Sequence, residues 1–203
     1  MILSIDTTGD IGSLALVDDD RIVEEVELQS PDGFAHVLFS AIEQLLTRHR
    51  LTLQQIDAFA SASGPGSFTG VRVGLAAAKG LAEATGRKMI AVSNLKALAS
   101  FGSRALRAVV IDARRGEVFG AVYDSAGRAV CDEVVMVYES WAETLPVGDI
   151  EVIDARTQPQ RALAGAIGKI ASAQFAVGLA HDPATIDANY VRRSDAELLW
   201  KDR

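Results

Sequence analysis

The chain has 203 residues, 49% hydrophobic and 23% charged, with a formal net charge of −7. That balance excludes a disordered protein, and the acidic surplus argues against strong RNA or DNA binding by this chain alone, which depends on cations that neutralise phosphates. One cysteine, Cys131, excludes an internal disulfide; no apolar run approaches the ~20 residues of a membrane span, and Met1 leads into Ile2-Leu3-Ser4-Ile5 without a basic leader, so the expected location is the cytoplasm.

Alternation predicts strands over 2–6 and 12–18, joined by the turn-forming run Thr7-Thr8-Gly9-Asp10-Ile11. Asp18-Asp19-Asp20 makes an acidic turn into a third strand over 21–28. Residues 34–49 read as a helix, capped by Asp32 or Ser30 and carrying Arg48 and His49 at its negative end. A buried strand over 56–63, a helix from Ser67 to about Gly86, a strand over 88–93 and a short helix over 94–101 follow. The order βββαβαβα implies an α/β lobe with a mixed sheet, the ribonuclease H-like layout that actin, sugar kinases and Hsp70 use twice.

A boundary is expected near Phe101–Arg107, dividing the chain into lobes over 1–103 and 104–203. The second half repeats the opening with strands over 108–114, 117–124 and 129–137, then a strand over 150–154 and a helix over 159–175 with Pro159 in its first turn. The second lobe is therefore a reduced copy of the first.

The stretch "GPGSFTGVRVGLAAAKGLA" does not fit a Walker phosphate loop, since Gly64, Gly66 and Gly70 have the wrong spacing and Lys79 lies three turns inside the helix. Free amides at 67–70 could attract an anion, as at any helix N-terminus. More telling is the bare ridge Gly70, Gly74, Ala78. Each interior glycine costs about 1 kcal/mol against alanine, so a second backbone is expected to press against it. Helix 34–49 has apolar residues on both flanks of a narrow polar stripe, Phe34, Leu38, Ala41 and Leu45 on one and Ala35, Phe39, Ile42 and Leu46 on the other. One flank can line the core. The expected docking surface for a protein partner comprises Phe34, Leu38, Ala41, Leu45, Phe68, Gly70, Arg72, Gly74 and Ala78.

Asp6 ends the first strand and Asp112 its counterpart in the second lobe. With Thr7, Thr8 and Ser13 they are weak candidates for holding a metal-nucleotide across a cleft. The opposing reading is an Asx turn at Asp6 and a hairpin ion pair between Asp112 and Arg114 or Arg115. His36, His49 and His181 show no ligand spacing, and Cys131 has no histidine near it in sequence to act as a base.

"ILSIDTT", the glycine-rich helix motif, "VSNLKALA" and "DARRGEVF" together resemble the TsaB family, also called YeaZ; "ANYVRR" at 188–193 resembles its closing Tyr-Leu-Arg pattern. The resemblance implies an actin-like two-lobed fold and a role in making threonylcarbamoyladenosine beside the anticodon of tRNAs that read codons starting with A. It further implies a subunit that is not the transferase. That subunit pairs with its catalytic paralogue TsaD through the two N-terminal-lobe helices, is joined by the ATPase TsaE, can form a homodimer, and meets tRNA only within the complex. TsaD carries a metal-binding His-x-x-x-His where this chain has Asn94 and Leu98. No catalytic residue, metal or cofactor is therefore expected. The alternative is a stand-alone nucleotide-binding enzyme of the sugar-kinase and actin group.

Overall fold

A computed structural model describes residues 1–192. Strands β1 (Ile2–Asp6), β2 (Gly12–Asp18) and β3 (Arg21–Leu28) form an antiparallel meander, and β4 (Ala58–Ala62) and β5 (Lys88–Val92) extend it in parallel, in the order β3-β2-β1-β4-β5. Strands β1, β2, β4 and β5 are largely apolar because both faces are covered, whereas the edge strand β3 carries Arg21, Glu24, Glu25 and Glu27. Leu3, Ile5, Leu14, Leu16 and Phe59 point to one side, and Ile2, Ala15, Val17, Ala58 and Ala60 to the other. Helices α1 (Leu38–Arg48) and α2 (Phe68–Thr85) supply apolar side chains to the first of these cores, and α3 (Asn94–Ala99) to the second.

Strands β6 (Leu106–Arg114), β7 (Glu117–Asp124) and β8 (Ala129–Val137) repeat the meander, and β9 (Ile150–Asp154) pairs in parallel with β6, giving the order β8-β7-β6-β9. The short helix α4 (Tyr138–Glu143), which the sequence pattern did not reveal, buries Trp141 against this sheet. Helix α5 (Ala164–Ala176) does not stay with the second sheet. It packs on β1, β2, β4 and β5, closing the free face of the first. Its small side chains permit close approach: a Cβ at Gly168 would lie 2.5 Å from Val17 Cγ2.

The start of α5 also differs from expectation, for a reason distant in sequence. Pro159 lies in the preceding loop, and the helix is capped from the first sheet: Leu163 N and Ala164 N donate to Ser13 Oγ at 3.2 and 3.0 Å, and Gly165 N donates to Glu25 Oε1 at 2.7 Å. Residues 34–49 likewise break into a 3-10 turn over Phe34–His36 and α1, with neither Asp32 nor Ser30 as cap; the Ser30 hydroxyl instead donates to Gly33 O. Arg48 and His49 at the end of α1 both reach Glu24 on β3, which holds its carboxyl below the usual range.

Two parts of the expected docking surface face inward. On α1, Leu38 and Leu45 are buried with Ile42 and Leu46, while Phe34 and Ala41 pack against the same core; only Phe39, 58% exposed, stands out as apolar. A single wide stripe explains the pattern. On α2, the ridge Gly70, Gly74, Ala78 is covered by the chain's own β1 and the loop after it. A Cβ at Gly70 would fall 1.9 Å from Thr7 O, and one at Gly74 would fall 2.7 Å from Thr7 Oγ1. The close-approaching backbone that the ridge requires is that of Thr7, not a partner's.

Candidate functional site

Residues from both sheets and from the C-terminal segment line a cavity of about 1020 Å³. Its floor holds Asp6, Thr8 and the start of α2. Its opposite wall is the β6–β7 hairpin, and the sides come from the loop after β9 and from residues 188–192.

The nucleotide candidates divide here. Asp6, Thr8 and Asp112 border the cavity; Thr7 and Ser13 do not. Thr7 Oγ1 donates to Gly70 O at 2.6 Å, stitching β1 to α2, and Ser13 caps α5. The carboxylates are engaged locally. Asp6 Oδ1 accepts from Thr8 N at 2.9 Å and Thr8 Oγ1 at 2.6 Å, an Asx turn. Asp112 accepts from Arg114 N at 2.8 Å and pairs with the Arg114 guanidinium at 3.3 Å. Asp10 accepts from Gln160 Nε2 at 2.9 Å, joining the first loop to the segment after β9.

Burial pushes the Asp6 carboxyl up from its ordinary value, the Thr8 hydrogen bonds oppose that, and the Glu25 carboxylate adds to the rise. A carboxyl held above its unfolded value favours the fold when protonated. That contribution is complete below the reference value of 3.8 and disappears as pH rises through the folded value. Asp6→Asn keeps an acceptor for Thr8 and removes the buried charge. Its melting temperature relative to wild type is therefore expected to improve progressively as pH rises above about 4 in thermal denaturation. A difference that stays flat with pH would contradict this account.

Asn94 and Leu98 stand where the resemblance places paired histidines in TsaD. Asn94 is buried; its Oδ1 accepts from Gly64 N at 2.9 Å and its Nδ2 donates to Thr8 Oγ1, so it anchors α3 to two loops. Leu98 presents hydrocarbon to the cavity. Among the described residues no group of three or more His, Cys, Asp or Glu is arranged to hold a metal. His36 is exposed, His49 pairs with Glu24, and His181 bridges to Met89 through backbone bonds. No helix among them is long and apolar enough to cross a membrane.

The C-terminal segment ties the sheets together. Asn189 N donates to Ser63 O at 2.8 Å, and its side chain donates to Glu133, which also accepts from Tyr123 Oη at 2.6 Å and from Ser93 Oγ. Burial and the Glu133 carboxylate push the Tyr123 phenol well up. Arg192 reaches Glu117 at the hairpin; Arg193 of the "ANYVRR" run lies outside the described residues. Sequence reasoning missed Glu133, Gln160 and Tyr190, whose partners lie 10 to 150 positions away with no local motif to mark them.

The outward side of α2 remains open. Phe68 is 62% exposed, Arg72 lies 3.2 Å over its ring, and the Arg72 guanidinium donates to Tyr190 Oη at 2.7 Å. Thr69, Ala76, Gly80 and Glu83 continue this face, and a Cβ at Gly80 would meet nothing within 4 Å.

Comparison with known proteins adds the lineage. Residues 31–179 match the family model described as TsaD, tRNA N6-adenosine threonylcarbamoyltransferase. The chain is 40% identical over 126 residues to the Escherichia coli (strain K12) tRNA threonylcarbamoyladenosine biosynthesis protein TsaB, a match spanning 60% of this chain and about half of that one, 54%. It is 32% identical over 158 residues to TsaB of Bacillus subtilis (strain 168), spanning 75% of this chain and 69% of that protein. The solved structure of YeaZ from Pseudomonas aeruginosa superposes with a TM-score of 0.76 at 27% identity, covering 93% of this chain and 98% of its own. The motifs, the paired mixed sheets and these matches agree: the chain belongs to the TsaB/YeaZ family.

Proposed function

We propose that this chain is a non-catalytic subunit of the assembly that places a threonylcarbamoyl group on N6 of an adenosine in tRNA. It pairs with a TsaD-like transferase, helps recruit a TsaE-like ATPase, forms homodimers when alone, and meets tRNA only within the complex. The names of its relatives in Escherichia coli and Bacillus subtilis support the pathway. The observation that carries the non-catalytic reading is Asn94. At the position expected to ligate metal in the transferase, this chain has an amide that holds Gly64 and Thr8 in place.

The pairing surface follows from which side of α2 is open. Phe68 and Arg72 stay in the proposed surface because both are exposed. Ala76 and Gly80 take the role first given to Gly70, Gly74 and Ala78, since they form the smooth, uncovered stripe on which a second helix can lie closely. Rows of small residues permit such approach, and an exposed Phe-Arg pair is the kind of group that anchors an interface.

Ala76→Glu and Gly80→Glu place a carboxylate on an exposed helix position, so both variants are expected to fold. Both should lose pairing with the TsaD-like subunit in pull-down and homodimerisation in light scattering. Undiminished pairing by both variants, each with a wild-type circular dichroism spectrum, would reject this surface.

A further inference from the structure

A second cavity, of about 440 Å³, opens on the other side of α3 from Asn94 and Leu98, and it shares no lining residue with the larger one or with the outward face of α2. It lies between the last turns of α3 and α5, the start of β6 and the turn that joins β7 to β8. Among the described residues its charged lining consists of two cations, Lys96 and Arg107, in a chain that carries −7 overall.

Arg107 is half-buried and held from two sides. Its stem lies on Gly102, where a Cβ would fall 2.8 Å from Arg107 Cγ, and its Nε donates to Arg104 O at 3.1 Å. That bond uses one of the guanidinium's five N–H donors, and among the described residues no carboxylate pairs with the others. Lys96, also half-buried, lies against the β7–β8 turn, its Cε 3.6 Å from where a Cβ at Gly127 would sit. Its ammonium makes no ion pair or hydrogen bond among the described residues. The nearby carboxylates are committed elsewhere: Asp124 takes Arg128, Asp149 takes Arg104, and Glu151 takes the amides of Ser103 and Arg104. Helix ends carry partial negative charge, but those bordering the pocket are already bonded, Ala97 O to Ser100 N and Gln174 O to Val177 N and Leu179 N. Two partly desolvated cations at one pocket repel, and an anion between them relieves that repulsion and gains charge-assisted hydrogen bonds.

The rest of the wall is aliphatic, with Ala99, Ile170, Ala173 and Val177 and no aromatic ring. It offers no face on which a base could stack, whereas a short hydrocarbon chain fits it. The guanidinium fork matches a carboxylate, and the volume lies at the lower end of the range for small-molecule sites. We propose that this pocket binds a small free aliphatic carboxylic acid, its carboxylate between Arg107 and Lys96 and its chain on Ile170 and Val177. The site stands whether or not the face of α2 pairs with a partner.

The test titrates hexanoate into the full, isotope-labelled chain at low salt and follows amide chemical shifts. Hexanamide serves as the neutral counterpart, and inorganic phosphate as an anion without a chain. Hexanoate is expected to give saturable shifts at Lys96, Ser100, Gly127 and Gln174 with a Kd of about 1 mM or tighter. Hexanamide and phosphate should each bind about tenfold or more weakly. Lys96→Met and Arg107→Met should each weaken hexanoate by about fivefold or more, whereas Arg21→Met, on β3 away from the pocket, should not. If Arg107→Met fails to fold, Lys96→Met and the comparison of hexanoate with hexanamide on wild-type protein decide. The proposal is overturned if no saturable shift appears by about 20 mM hexanoate, or if hexanamide or phosphate binds as well. It is equally overturned if the shifts are unchanged in the variants that fold.

Discussion

Gly70→Ala is expected to destabilise the protein by about 3 kcal/mol or more, while Gly80→Ala, ten residues along the same helix, should stabilise it by about 0.5–1 kcal/mol. The contrast lies in what each new methyl group meets. At position 70 it would fall 1.9 Å from Thr7 O, a backbone atom of a strand end that is itself hydrogen-bonded to α2, so neither side can yield. At position 80 it enters open space, and only the helix preference for alanine acts. Urea denaturation of both variants, with circular dichroism to confirm the native fold, checks the pair. Equal effects at the two positions would show that the ridge is not closed by Thr7.

That pair also shows where sequence reasoning reached its limit. The three-strand openings of both halves, the strand over 150–154 and the ends of α2 were legible, because alternation, Ser67 as cap and Gly86 in the left-handed conformation are local signals. A bare ridge announces that something approaches closely, but sequence does not say whether that neighbour is the chain's own strand or another molecule. The start of α5 was illegible for a similar reason, since its caps, Ser13 and Glu25, lie about 140 or more positions earlier. Of the candidate site, Asp6, Thr8 and Asp112 were found from their strand ends. Arg72, Arg114, Arg115, Arg161 and Arg192 are scattered through the sequence, and only the fold sets them around one space.

Glu133→Ala should cost about 2–4 kcal/mol, a large loss for one polar side chain, because three donors from separate segments converge on it. Ser93 stands at the start of α3, Tyr123 on β7 and Asn189 in the C-terminal segment; without the carboxylate, the largely buried Tyr123 hydroxyl loses its acceptor. Glu133→Gln keeps one carbonyl oxygen to accept and should lose roughly half as much. Denaturation curves give the energies, and hydrogen exchange locates them: the Asn189 amide, bonded to Ser63 O, should exchange faster in the alanine variant than in wild type. Unchanged protection at Asn189 would separate Glu133 from the clamp between the sheets.

The position of α5 has a consequence for how the molecule is made. When the ribosome has released the strands of the first sheet, through Val92, the side bearing Ile2, Ala15, Val17, Ala58 and Ala60 still lacks the helix that covers it. That helix ends at Ala176, so translation must add more than 80 further residues, on the order of ten seconds of synthesis, before the surface can close. For that interval the nascent chain carries a sticky β-surface. The folding of its first half is thereby timed by the emergence of α5.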